Sequence, residues 1–358
     1  MLRLGFCIKP LKNANKSRGV GVYTRNLMEE LKKRDDLEVT EFEDEKALHD
    51  VDLVHFPFFD LFFPTLPIIK KYKTIVTIHD VMPLIFPKNH PLGIKGKINF
   101  LKQKLALKSV KKIVTVSQTS KKDIIKYLKI QSEKISVIYE AANPGMRILS
   151  EAEKIKIKRK FNLPDQFLLY VGDANYVKNL PFLINSFAKL KKEKQFNNLK
   201  LVLVGNVFLK NLENIYHPEL ESLKKVFSLI SEYNLNDEII RPGQLDIDDL
   251  SGFYNLATVY VQPSLYEGFG LPILEAMSCG TPVLSSNKAS LIEVGGNAPV
   301  YFDPRNLEQF VKLLIDILQS RSLQDKLSRL GLKRAQEFSW EKVADETVKI
   351  YREITTNR

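Results

Sequence analysis

Two carboxylates, Glu267 and Glu275, stand eight positions apart in the segment 263–280, PSLYEGFGLPILEAMSCG. Gly268 and Gly270 permit a tight loop whose backbone can approach a ligand. Pro272 suits the first turn of a helix, and the free N–H groups and positive dipole end at such a start favour a phosphate. On one continuous helix the carboxylates would lie ~12 Å apart, and the glycines and proline argue against continuity. Either way they do not bracket a single bond as an acid/base pair. Their spacing suits an extended ligand, one carboxylate for each of two hydroxyl-bearing sugars. An ordinary strand–turn–helix with surface glutamates remains the alternative on pattern alone.

Other reactive residue types carry less by themselves. His79 follows an apolar strand, where a lone histidine is commonly structural. Lys178 is one lysine among many, and Gly19-Val20-Gly21 fits a simple turn. Asp246-Ile247-Asp248 has the Asp-x-Asp form that can hold a metal. It precedes the helical run 250–256, however, where acidic residues serve as N-cap and first-turn charges. Asp50-Val51-Asp52 opens a strand. With no His/Cys cluster at ligand spacing, the expectation is no metal and no cofactor. Cys7 and Cys279 are too few for a disulfide framework and fit a reducing compartment.

Strands must deliver these residues. Short β-branched runs at 2–8, 38–42, 53–56, 74–78, 113–116 and 136–138 alternate with helical patterns at 23–33, 98–110 and 121–128. The alternation resumes with strands at 167–171, 200–204, 239–241, 259–262, 282–285 and 299–302. Helices at 180–192, 218–233, 247–256, 272–279 and 306–319 separate them. Strands separated by helices imply βαβ units and parallel sheets. The pattern fades over 141–164, where Asn143-Pro144-Gly145 is turn chemistry and a lysine-rich helix, 151–160, follows. The expected fold is α/β, with two doubly wound Rossmann-like domains whose strand ends face a central cleft. The domains are read as 1–155 and 156–339.

The motifs together resemble retaining nucleotide-sugar glycosyltransferases of the GT-B fold, family 4 (glycosyl transferases group 1), of the bacterial polysaccharide and mannosyltransferase kind. Glu267-Gly-Phe-Gly-Leu-Pro-Ile-Leu-Glu275 resembles the family's Glu-x7-Glu signature. Arg18 to Tyr23 resembles its N-terminal Gly loop, and Thr77-Ile78-His79-Asp80 its His motif. Val116 to Ser120 resembles a strand-to-helix signature. Tyr170-Val171-Gly172 with Lys178-Asn179-Leu180 resembles its phosphate-lysine region. Ser264-Leu265, Pro282-Val283 and Glu293-Val294 complete a donor site.

The resemblance implies that Glu267, Lys178 and His79 are catalytic. Glu267 binds the transferred sugar, Lys178 neutralises the departing phosphate, and His79 orients the sugar. The backbone of Gly268, Phe269, Gly270 and Leu271 holds the diphosphate. Glu275 takes the ribose, and Gly19 and Gly21 close over the phosphates. Val177 and Asp173 stand where many relatives have arginine. The first domain would bind the acceptor and the second the donor. A C-terminal helix, 339–354 with Trp340, would pack back on the first domain (about 340–358). The implied reaction is metal-independent retaining transfer of mannose or a similar hexose from a GDP- or UDP-sugar to a glycan or lipid-linked glycan. A sugar phosphorylase or nucleotide-sugar epimerase on a similar fold is the rival enzyme reading.

The whole chain has 358 residues and a net charge of +12. Residues 1–150 hold 27 Lys and Arg against 16 Asp and Glu, a net +11. Within 88–134 there are 13 lysines against Asp123 and Glu133. Nucleic-acid readout favours arginine and stacking aromatics, but this stretch has no arginine and only Phe100 and Tyr127 as aromatics, so no nucleic-acid partner is expected. Ile94, Ile98, Leu101 and Leu105 recur at helical spacing among Lys95, Lys97, Lys102, Lys104 and Lys108. Such a helix docks its stripe on a sheet or lies on an anionic membrane; both hold if the lysines face lipid while the stripe faces the core. Phe56, Phe58, Phe59, Phe62 and Phe63 form either a packed core loop or an apolar lip. The run 53–69 contains three prolines and is no membrane span. The N-terminus lacks a signal-peptide pattern. The expected place is the cytoplasm, with peripheral contact to the membrane.

Overall fold

A computed structural model describes residues 1–12, 19–210, 212 and 217–356. The chain forms two compact units: Met1–Ala141 with Phe338–Arg358, and Ala142–Glu337. The expected division at 155/156 falls inside the helix Glu151–Phe161, which opens on a Ser150–Glu153 capping box and lies in the second unit. There it packs closely on the helix Ile247–Leu256, where Gly252 admits the Ile157 side chain.

The first unit holds a parallel sheet of β1 (Leu2–Cys7), β2 (Leu37–Phe42), β3 (Leu53–Phe56), β4 (Lys73–Thr77), β5 (Lys112–Thr115) and β6 (Ile135–Val137), in the order β2-β1-β3-β4-β5-β6. The second holds β7 (Phe167–Val171), β8 (Lys200–Val204), β9 (Ile239–Gly243), β10 (Val259–Gln262), β11 (Val283–Ser286) and β12 (Val300–Phe302), in the order β12-β11-β10-β7-β8-β9. Apolar runs such as Leu53–Phe56 and Val259–Gln262 are buried along their whole length, as parallel strands covered on both faces must be. Both orders reverse once, between β1 and β3 and between β7 and β10. Loops leaving the carboxyl ends of strands at such a reversal form a ligand crevice. In the second unit those loops carry Lys178 and Glu267.

All twelve expected strands are present, with bounds shifted by at most two residues. The helix expected at 98–110 instead runs Ile94–Ala106, and the expected 121–128 helix starts at Gln118, capped by Ser117, and ends in a π-helical turn. The helix Arg321–Ala335 had no counterpart in the sequence reading. Its composition is polar and it buries only Leu327 and Gly331. Gly331 lets it lie against Met277, so it buttresses the helix Leu271–Ser278 from behind.

The last helix, Trp340–Thr356, belongs to the first unit's core. Trp340, Val343, Val348 and Tyr351 pack with Leu27 and Leu31 of the helix Gly19–Lys32. The last helix is also tied to the turn after Gly19–Lys32 by the Arg34–Asp345 and Arg352–Asp36 ion pairs. A buried polar chain then crosses the sheet. The Tyr351 hydroxyl lies 2.6 Å from His55 Nδ1, His55 Nε2 lies 2.9 Å from Thr77 Oγ1, and Thr77 Oγ1 lies 3.2 Å from the Tyr23 hydroxyl. Burial pushes the His55 pKa down to about 3, helped by the neighbouring His79, so this imidazole is neutral. One ring nitrogen therefore accepts while the other donates. Tyr351→Phe strands one of them, and we expect a loss of about 1–3 kcal/mol, read as a lower denaturant midpoint for the first unit.

Candidate functional site

β10 places Tyr260 and Gln262 two residues apart, on one face of the strand, and Ser264 continues the same spacing. All three are fully buried, so their polar atoms must be satisfied internally. They are satisfied on Glu267. Gln262 Nε2 donates to Ser264 Oγ (2.7 Å) and to Glu267 Oε1 (2.7 Å). Ser264 Oγ donates to the same Oε1 at 2.7 Å. The Tyr260 hydroxyl donates to Gln262 Oε1, which fixes the amide with its NH2 toward the carboxylate. Lys178 Nζ completes the set at 2.8 Å from both Glu267 oxygens. Oε1 thus has three donors, whereas Oε2 takes only Lys178 among the hydrogen bonds of the described residues. That second oxygen keeps a lone pair for a ligand hydroxyl.

Lys178 is delivered by the loop after β7. Val177 is buried at 3% exposure, and its carbonyl accepts from Leu265 N at 2.7 Å, which ties the two crevice loops together. Asn179 follows in the left-handed region, φ 56°, and its amide donates to Pro263 O (3.1 Å) and Pro304 O (2.9 Å). Asp173 caps its own loop by accepting from Ala174 N at 2.8 Å.

The loop 268–270 leads directly into the helix Leu271–Ser278 with Pro272 in its first turn. Gly270 has φ +108°, and a Cβ there would meet Leu291 Cδ2 at 2.8 Å. Ser290 Oγ lies 2.8 Å from Glu267 O and 2.7 Å from Phe269 O, and so holds the loop's carbonyls from below. Glu275, one turn into the helix, accepts from the Tyr254 hydroxyl at 3.0 Å. Desolvation pushes its carboxyl up to about 7, against the pull of that hydrogen bond.

In the first unit, His79 follows β4. Its Nδ1 lies 2.9 Å from Glu140 Oε1 and its Nε2 lies 3.1 Å from Pro57 O. Both partners present oxygens, which favours a ring protonated on both nitrogens. Burial works against the charged ring, but the Glu140 carboxylate and the Pro57 carbonyl outweigh it and raise the His79 pKa. The Tyr23 ring meets the imidazole edge-on at 4.8 Å. Gly19 and Gly21 form the first turn of the helix Gly19–Lys32. Arg18, at the start of the expected Gly loop, lies outside the described residues.

The structure therefore brings Lys178, Glu267, Gly268, Phe269, Gly270, Leu271 and Glu275 into one unit, while His79, Gly19 and Gly21 lie in the other. The sequence reading missed Gln262 and Tyr260, named Ser264 only within the donor-site motif, and missed Glu140. The first three had a signal, polar residues at period two entering an otherwise apolar strand; Glu140 had none, standing 61 residues from His79. Asp246 accepts from Asp249 N at 2.8 Å, so it caps the helix Ile247–Leu256 as expected. Among the described residues, no three His, Cys, Asp or Glu side chains are grouped to hold a metal.

Two expectations follow. Because the folded pKa of Glu275 is raised, its ionisation costs stability as pH climbs from the ordinary carboxylate range through about 7. Glu275→Gln should therefore melt above wild type at pH 8 and lose that advantage at pH 4. For His79, Glu140→Gln removes the main raising partner and leaves burial. Its pKa, followed by NMR titration, should fall below that of wild type.

Residues 151–334 match the family Glycosyl transferases group 1, and residues 40–144 match Glycosyltransferase Family 4. The O-antigen chain mannosyltransferase B of Escherichia coli is 31% identical over 283 residues, covering 78% of this chain and 70% of that protein. The serotype-specific mannosyltransferase WbdA of Escherichia coli is 32% identical over 277 residues, 76% of this chain; the match spans about a third (32%) of WbdA. Sucrose-phosphate synthase from Thermosynechococcus elongatus superposes with a TM-score of 0.77 over 100% of both chains, at 18% identity. Anabaena HepE in complex with UDP-glucose gives 0.76 over 99% of this chain and 100% of its own, at 15% identity. These likenesses establish the GT-B fold, with its two Rossmann-like domains. The chain belongs to the family-4, group 1 glycosyltransferases.

Proposed function

We propose that this protein transfers a hexose, mannose or a similar sugar, from a nucleoside diphosphate sugar to a glycan or lipid-linked glycan, with retention at the anomeric carbon. The observation that carries this reading is the Lys178–Glu267 pair at the sheet reversal, 2.8 Å apart and directly before the helix start at Leu271. In the reaction the bond from the anomeric carbon to the diphosphate breaks and its electron pair leaves with the phosphate oxygen. An acceptor hydroxyl forms the new bond on the same face, and its proton passes to that leaving oxygen.

Each residue has a part that its surroundings support. The Lys178 ammonium is already preorganised by Glu267 and stabilises the charge that develops on the diphosphate. Glu267 Oε2 accepts from hydroxyls of the transferred sugar, while Gln262 and Ser264 keep the carboxylate from rotating. The backbone of 268–271 takes the diphosphate, with Gly270 giving it close approach. Glu275 takes the ribose diol, and His79, positioned by Glu140, orients the sugar. The mannosyltransferase names of the relatives favour mannose, and their O-antigen setting favours polysaccharide synthesis. Peripheral contact with an anionic membrane is part of the same reading and rests on the lysines of 88–134.

The test is transfer from a panel of GDP- and UDP-sugars, with the anomeric configuration of product and donor compared by NMR. Lys178→Ala and Glu267→Gln should each lower kcat/KM about 10²–10³-fold. Near wild-type transfer by both, or an inverted product, overturns the reading. A ribose diol donates two hydrogen bonds and is best met by the ionised carboxylate. Donor affinity should therefore rise as pH passes through about 7, and Glu275→Gln should flatten that profile.

A further inference from the structure

The helix Ile94–Ala106 is inside out. A helix at the edge of a globular unit normally turns its apolar stripe inward. Here Ile94, Ile98, Leu101 and Leu105 are 81%, 48%, 66% and 49% exposed. The inward face pairs Phe100 and Ala106 with two amides instead. Asn99 Nδ2 donates to Phe62 O at 3.0 Å. Gln103, 3% exposed, accepts from Thr65 N (3.0 Å) and Leu66 N (2.9 Å) and donates to Leu66 O (3.2 Å). These bonds strap the loop 58–70 to the helix, with help from Lys70 Nζ on Ala106 O at 3.1 Å. Phe56, Phe58, Phe59 and Phe62 anchor that loop in the core. The strapped loop itself exposes Phe63, Ile68 and Ile69, at 68%, 45% and 88%.

At ~100° per residue the four apolar residues fall within an arc of about 60°. Lys95 and Lys102 border it on one side, Lys97 and Lys104 on the other. The stretch 81–122 holds ten lysines and not one Asp or Glu. Expectation and structure part here: the lysines and the stripe face outward together.

We propose that this face, the stripe of Ile94, Ile98, Leu101 and Leu105 with its two lysine borders, is a docking surface for an anionic lipid bilayer. The helix lies in the interfacial plane. Its stripe enters the boundary between headgroups and acyl chains, and the lysine stems lie on apolar surface while their ammonium groups reach lipid phosphates. A nucleic acid would match the charge and leave four aliphatic side chains in water. The proposal deepens the membrane part of the reading above and is independent of the donor chemistry.

The full-length protein is co-sedimented with vesicles of phosphatidylcholine alone and with added phosphatidylglycerol. Binding should need the anionic lipid and fall with salt. Ile94→Gln with Leu101→Gln, both at exposed positions, should weaken binding at least about tenfold while leaving transfer to a soluble acceptor unchanged. Leu101→Trp should show a blue-shifted emission on anionic vesicles. Undiminished binding by the double variant, or no shift from Leu101→Trp, overturns this surface while leaving membrane contact elsewhere. No vesicle binding at all, or self-association or nucleic acid that covers the stripe in preference to lipid, overturns the membrane contact itself. Failure of the donor-site reading is a separate result, read from Lys178→Ala.

Discussion

The second unit is organised around one buried charge. Glu267 is 9% exposed, and a carboxylate so placed is tolerated only with a close cation and its lone pairs occupied. Lys178, Gln262 and Ser264 meet that demand. They come from the loop after β7, the end of β10 and the turn beyond it, so the pair forms only where those two strands lie side by side. The sheet order makes them neighbours, although 89 residues separate Lys178 from Glu267. The chemistry and the topology thus impose the same requirement on the chain. Removing either ion leaves an unpaired buried charge, so a lost partner here disturbs both stability and function.

The first unit meets a similar demand with neutral groups. His55 has no carboxylate and is fully buried, so it stays uncharged between two hydroxyls. His79, just beyond β4, has Glu140, and its pKa is raised. Two histidines, one in β3 and one just after β4, are shifted in opposite directions because their partners differ.

Much of this was legible in the sequence. Central parallel strands buried on both faces, such as β3, β5 and β10, read as plain apolar runs, and the regular alternation with helices led to the more exposed β2, β9 and β12. Glycine, proline and glutamate in the 267–275 segment identified the ligand loop because each residue type there answers a backbone or charge requirement. Residues whose role depends on long-range pairing were hidden. Glu140 looks like any glutamate until β4 and β6 bring their ends together around β5. The helix Arg321–Ala335 was hidden because it buries a glycine and a leucine where an amphipathic pattern would bury a full stripe. The exposed stripe of Ile94–Ala106 was visible as periodicity, but periodicity does not say which way a helix faces; two inward amides, Asn99 and Gln103, decide that.

The chain leaves the first unit at Ala141 and re-enters it at Phe338. Trp340, Val343 and Tyr351 are core residues of that unit, and Tyr351 supplies a partner that His55 requires. During synthesis the first unit therefore emerges early and finishes last. Its sheet must wait, with Leu27, Leu31 and His55 uncovered, until the whole second unit has been made. The second unit is contiguous and can close as soon as residue 337 is out. Order of emergence and order of completion are reversed, and the interval in which apolar surface is open to chaperones or aggregation is set by the length of the inserted unit.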